Sequence, residues 1–94
     1  MSELLSKSEL NTWMKKVPEW ELEEKAISRQ FEFDDFTAAI DFVNAVAEIA
    51  EELDHHPDID VRWNKVKLTL ATHSKGGLTP FDFETAERID TLED

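Results

Sequence analysis

Ninety-four residues with 22 acidic against 10 basic side chains carry a formal charge of −12, and such a field repels phosphate backbones and anionic lipid surfaces, so neither nucleic acid nor membrane is an expected partner. The chain has no cysteine, which excludes disulfides, thiolate ligands and cysteine nucleophiles, while 40% hydrophobic residues with three Trp and six Phe supply a packed core, expected to be one domain over 1–94. No apolar run approaches a membrane span and the N-terminal stretch lacks a signal peptide's charged and apolar regions, so a soluble, cytoplasmic protein is expected.

Ser6 followed by Glu9 forms a capping box, flanked by Leu5 and Leu10 as a hydrophobic staple. Leu10, Trp13, Met14 and Val17 then recur at helical spacing until Pro18, which predicts a helix over about 7–16 with Trp13 and Met14 as core contacts. From Glu19 the period becomes two. Trp20 and Leu22 alternate with glutamates, and Ile27, Phe31 and Phe33 alternate with Ser28, Gln30 and Glu32. The apolar parity changes between Leu22 and Ile27, which a two-residue turn at Glu24-Lys25 would accommodate. Arg29 interrupts this face, either at an edge or paired with a carboxylate.

Asp34 or Asp35 can cap a second helix, the longest, with Phe36, Ala39, Ile40, Val43, Val46, Ala47, Ala50 and Leu53 at three- and four-residue intervals. Pro57 disfavours helical geometry at His56, so this helix ends near Asp54 or His55 and leaves two histidines at its exit. Ile59, Val61 and Trp63 are odd whereas Val66, Leu68 and Leu70 are even. A turn at Asn64-Lys65 would pair Trp63 with Val66 and Val61 with Leu68, and that register, extended, sets residue 73 opposite residue 56. Thr79-Pro80-Phe81-Asp82 reads as an N-cap, a proline at the first helical position and an acidic third residue, opening a helix over about 80–92. Leu78 and Phe83 could form its staple, Phe81, Ile89 and Leu92 are its candidates for burial, and the last two residues are expected to fray.

All three histidines fall between residues 51 and 82. Three chemistries could use them. Glu51, His55 and His73 could ligate a metal with a water in the open position, although the HExxH helix motif is absent. Ser74 or a threonine could act as nucleophile, but no glycine pattern of a nucleophile elbow accompanies them. The imidazoles could instead perform metal-free general acid and base catalysis, moving protons near neutral pH. Each residue also has a plain structural role open to it: His55 or His56 as a helix C-cap, Asp82 as a capping carboxylate, Trp63 in the core at its base and a pocket wall at its tip, and Glu51 in solvent. Residues 61–81 contain no Asp or Glu but hold Arg62, Lys65, Lys67 and Lys75. They form either solvated strand edges or a local positive field.

The order Glu51, His55-His56-Pro57, Trp63, His73, Asp82, within the stretch HHPDIDVRWNKVKLTLATHSKGGLTPFDF, resembles the pterin-4a-carbinolamine dehydratase family over roughly residues 19–92. The resemblance implies an α+β fold, with a four-stranded antiparallel sheet and three helices packed on one face in the order α-β-β-α-β-β-α. It implies an enzyme, a hydro-lyase that converts 4a-hydroxytetrahydrobiopterin to quinonoid dihydrobiopterin and water in tetrahydrobiopterin recycling, needing neither cofactor nor metal. His55 and His73 would carry protons, His56 and Trp63 would bind substrate, and Glu51 and Asp82 would be supporting carboxylates. Many members have Glu-Trp after His-His-Pro, where this chain has Asp58-Ile59, so that tryptophan wall is missing. The family resemblance also implies a homodimer or homotetramer. Animal members serve as dimerisation cofactors of a homeodomain transcription factor, which keeps a non-catalytic or pterin-binding module as the alternative.

Overall fold

A computed structural model describes residues 4–93. Its elements are α1 (Lys7–Met14), β1 (Glu21–Glu23), β2 (Ala26–Glu32), α2 (Phe36–Leu53), β3 (Asp58–Arg62), β4 (Lys65–Leu70) and α3 (Pro80–Asp90), with 3-10 turns at His73–Lys75 and Thr91–Glu93. The α-β-β-α-β-β-α order and the open antiparallel sheet agree with the sequence reading, and the strands lie side by side as β1-β2-β4-β3.

Helices α1 and α2 begin at their capping side chains. Ser6 and Glu9 exchange hydrogen bonds as a capping box, and Asp35 accepts from the Ala38 N–H at 2.8 Å. The Ser6 backbone N–H, and then its hydroxyl, hold the Glu9 carboxyl below its ordinary range. That contribution is therefore present above the ordinary carboxylate pKa and is lost as pH falls through the lowered one. Helix α1 stops two residues before the expected end, because the N–H groups of Lys16 and Val17 close tighter i−3 bonds to Trp13 and Met14 ahead of Pro18.

The core lies between one sheet face and the helices. Ile27 and Phe31 of β2 and Val66, Leu68 and Leu70 of β4 pack with Ala39, Phe42, Val46 and Ile49 of α2 and with Phe83, Ala86 and Ile89 of α3. Trp13 and Met14 of α1 pack partly buried against this cluster, with Trp13 stacked on Phe83 at 5.6 Å. Arg29 takes the second of its two expected fates: its guanidinium donates to Asp90 Oδ1 at 2.8 Å, an oxygen that also accepts from Trp20 Nε1 at 2.8 Å. Part of α3 departs from expectation. Ile89 is buried, but Phe81 and Leu92 are exposed, and the α-helix ends at Asp90 before a 3-10 turn. Glu93 lies in that turn, while Asp94, also expected to fray, lies outside the described residues.

The first hairpin pairs Leu22 with Ile27 and Glu23 with Ala26 around the expected Glu24-Lys25 loop. The second is corrected. Val61 pairs with Val66 and Ile59 with Leu68, so the loop is Trp63-Asn64, one residue earlier than the sequence suggests. Asn64 is buried and anchored to the end of β2, donating through Nδ2 to Phe33 O at 2.9 Å, while its own carbonyl accepts from Phe33 N–H at 2.8 Å. Trp63 consequently takes the left-handed first loop position, at φ 56°. Moving the loop by one residue shifts the pairing by two and leaves every side chain on its original face, so parity cannot distinguish the two registers.

Candidate functional site

The exit of α2 separates the two adjacent histidines. Asp54 adopts the left-handed conformation at φ 54°, tolerated by aspartate better than by most residues, and both Asp54 and His55 N–H groups donate to Ala50 O. Pro57 prevents helix continuation, and β3 starts at Asp58. The rings then diverge: His55 turns inward toward the start of α3, whereas His56 turns back along α2.

His55 Nε2 lies 2.5 Å from Asp82 Oδ1, and Asp82 is fully buried. The other carboxylate oxygen accepts from the Thr79 backbone N–H at 2.9 Å and from the Thr72 hydroxyl at 2.8 Å. Asp82 is thus both the helix cap and the partner of an imidazole, one oxygen serving mainly each role. An ionised carboxylate only accepts, so Nε2 carries the proton and the neutral ring has its lone pair on Nδ1. Nδ1 has no hydrogen-bond partner among the described residues and is not among the buried unpartnered atoms. The Phe81 ring stands 6.2 Å from the His55 ring, centroid to centroid.

His56 Nε2 lies 2.6 Å from Glu51 Oε2, with both side chains more than half exposed. Such a surface pair contributes ~0–1 kcal/mol and serves to orient the ring rather than to hold the fold. Glu51 therefore meets His56, not His55. Among the described residues no group of three or more His, Asp or Glu side chains is placed to hold a metal ion.

His73 arrives by a different route from the one expected. Strand β4 ends at Leu70, and with the corrected register residue 73 would fall opposite 54 rather than 56. Instead Thr72 bridges to Gly77 and binds Asp82, and His73 opens the 3-10 turn, closed by Gly76 at φ 73°. The residue before His73 and His55 itself thus hold opposite oxygens of one carboxylate. His73 is exposed and faces a cavity of about 390 Å³ whose other walls are the Glu23–Ala26 turn, Ala71, Gly76 and Gly77.

Trp63 is not brought to this cluster. It sits 68% exposed on the β3–β4 loop, at the end of β3 remote from Pro57, and five strand residues at ~3.3 Å each put it roughly 17 Å or more away within one chain. The positive stretch is neutralised at two of its four basic residues. Lys67 approaches Glu23 at 3.7 Å and Arg62 binds Asp60 at 3.3 Å, while Lys65 stands in strand register opposite Glu32 without forming an ion pair among the described residues. Thr72 was missed by the sequence reading. Nothing marks a threonine before a histidine, whereas Thr79 carried a capping signal.

The family model described as pterin 4 alpha carbinolamine dehydratase matches residues 3–92, and the chain belongs to that family. A relative from Acidobacterium capsulatum, provisionally named a pterin-4-alpha-carbinolamine dehydratase, is 54% identical over 76 residues, 81% of this chain and 83% of its own. One from Prochlorococcus marinus, with the same provisional name, is 42% identical across 98% of this chain and 97% of its own. Among solved structures, the transcriptional coactivator/pterin dehydratase from Brucella melitensis superposes with TM-score 0.91 at 36% identity, covering 98% of this chain and all of that one. A pterin dehydratase-like protein described as a RuBisCO assembly factor of the alpha-carboxysome shares the fold, with TM-score 0.65 at 24% identity over 78% of this chain and 84% of its own.

Proposed function

We propose that residues 1–94 act as one domain that dehydrates 4a-hydroxytetrahydrobiopterin to quinonoid dihydrobiopterin, within tetrahydrobiopterin recycling, by metal-free imidazole catalysis. The observation that carries this reading is the His55 ring, held through Nε2 by buried Asp82 so that Nδ1 is the available base. Nδ1 takes the proton from the nitrogen next to the carbinolamine carbon, and the freed electron pair forms the C=N bond. The C–O bond breaks as His73, in its imidazolium form, protonates the departing hydroxyl, which leaves as water. One proton is given and one taken, so the enzyme's proton count is unchanged, and Asp82 stabilises the His55 imidazolium formed on the way. Family membership supports the reaction class. The test is direct assay of carbinolamine dehydration by the purified chain; a rate no faster than the uncatalysed reaction overturns the reading.

His56, oriented by exposed Glu51, holds the pterin. His56→Ala is expected to raise KM several-fold with little change in kcat, the pattern of lost ground-state binding. Chelator treatment is expected to leave turnover unchanged, and one equivalent of zinc or iron whose removal abolishes activity would refute the acid/base mechanism. Strands β1 and β3 leave unpaired sheet edges, which favours a homodimer or homotetramer. Light scattering at micromolar concentration should show a mass at least twice that of the chain. Trp63 binds substrate only if such an assembly brings it from a second copy.

A second reading is a cytoplasmic binding module, favoured by the Brucella relative's description as a coactivator as well as a dehydratase. The same assay separates the two, because a module retained only for binding shows no turnover.

A further inference from the structure

We propose that Thr72 is a positioning residue for the dehydration, setting both the His55 tautomer and the placement of His73 through one buried carboxylate; this rests on the dehydratase reading above. The Thr72 hydroxyl donates to Asp82 Oδ2 at 2.8 Å and lies 2.8 Å from the Thr79 hydroxyl. Because its proton goes to the carboxylate, the Thr79 hydroxyl donates to it, and the bonds run in one direction from Thr79 through Thr72 to Asp82. The Thr72 backbone is committed as well, its N–H donating to Gly77 O at 2.8 Å and its carbonyl accepting from Lys75 N–H at 2.9 Å. Side chain and backbone are therefore both fixed at the residue directly before His73.

Two consequences follow for the proton carriers. With Oδ2 occupied by Thr72 and the Thr79 N–H, Oδ1 is left to face His55 Nε2 at 2.5 Å, which fixes the proton on Nε2 and bares Nδ1. The same hydroxyl ties the start of the His73 turn to the carboxylate that holds His55, so one side chain sets the spacing of base and acid. Misplacement of catalytic groups by about 1 Å can cost on the order of a hundredfold.

The experiment compares Thr72→Val, which keeps the branched shape but loses the donor, with Thr72→Ser, which keeps the donor. On 4a-hydroxytetrahydrobiopterin, Thr72→Val should lower kcat roughly ten- to a hundredfold with KM changed less than about threefold, and Thr72→Ser should restore kcat to within about threefold of wild type. A merely structural threonine would lower the melting temperature and leave kcat per folded molecule intact. Thr72→Val within about threefold of wild type, or Thr72→Ser as impaired as Thr72→Val, overturns the proposal. Nitrogen-15 NMR of histidine-labelled protein tests it without turnover: wild type should show His55 protonated on Nε2 and bare on Nδ1, and Thr72→Val should weaken or broaden the Nε2–H signal. If wild type does not dehydrate the pterin, the functional reading falls while this comparison still decides the role of Thr72. Should Thr72→Val not fold, the wild-type tautomer decides, and a proton found on Nδ1 overturns the proposal.

Discussion

Replacing Asp82 by alanine is expected to lower the melting temperature by roughly 12–25 °C. The carboxylate is fully buried and accepts from the Thr79 N–H, the Thr72 hydroxyl and the His55 ring. Removing it strands three donors, and each buried unsatisfied group costs about 1–3 kcal/mol, partly recovered where water can enter. A net loss of about 3 kcal/mol corresponds to ~4–8 °C per kcal/mol in a domain of this size. Asp82→Asn keeps the shape and one acceptor oxygen, so it should lose much less stability. It nevertheless presents an amide N–H either to the His55 ring or to the two donors on the other side, so activity should fall even where the fold survives. Circular dichroism melts of both variants beside their kcat values test this. A drop below about 3 °C for Asp82→Ala would show that the network does not hold the start of α3.

Loss of either proposed proton carrier should depress kcat by ~10²- to 10⁴-fold, the usual worth of a positioned acid or base. The double variant His55→Ala with His73→Ala is more informative. If base and acid act in the same elimination, its cost is far less than the product of the single costs, because groups working as a unit are non-additive. If the two histidines instead serve opposite stereoisomers of the carbinolamine, each single variant keeps activity on one isomer and only the double falls to background on both. Assays on each isomer separate the cases. Near-normal dehydration of both isomers by the double variant would sink the assignment, since His56 is then the chain's last histidine and its ring is turned away toward Glu51.

Local chemistry made most of the fold legible in the sequence. Ser6 with Glu9, the Asp34-Asp35 pair and Thr79-Pro80 mark helix starts because capping needs only neighbouring atoms, the structure taking Asp35 as the cap of α2, and Pro57 ends α2 for the same reason. The change of parity between Leu22 and Ile27 located the first hairpin, and the spacing from Glu51 to Asp82 identified the family. What neighbouring residues could not decide was long-range. The choice of Trp63-Asn64 over Asn64-Lys65 as the second loop depends on Asn64 bonding to Phe33, a residue 31 positions away. Parity is blind to that shift because it moves partners by two residues. The pairing of His55 with Asp82 and of His56 with Glu51 depends on the left-handed turn at Asp54, which sends adjacent rings in different directions. Thr72 joined the site only through contact with Asp82 across the Thr72–Gly77 bridge. The sequence by itself determined which elements form and which titratable groups are available; the tertiary structure decided which imidazole nitrogen meets which carboxylate, because buried hydrogen bonds are chosen by packing between segments rather than by spacing along the chain.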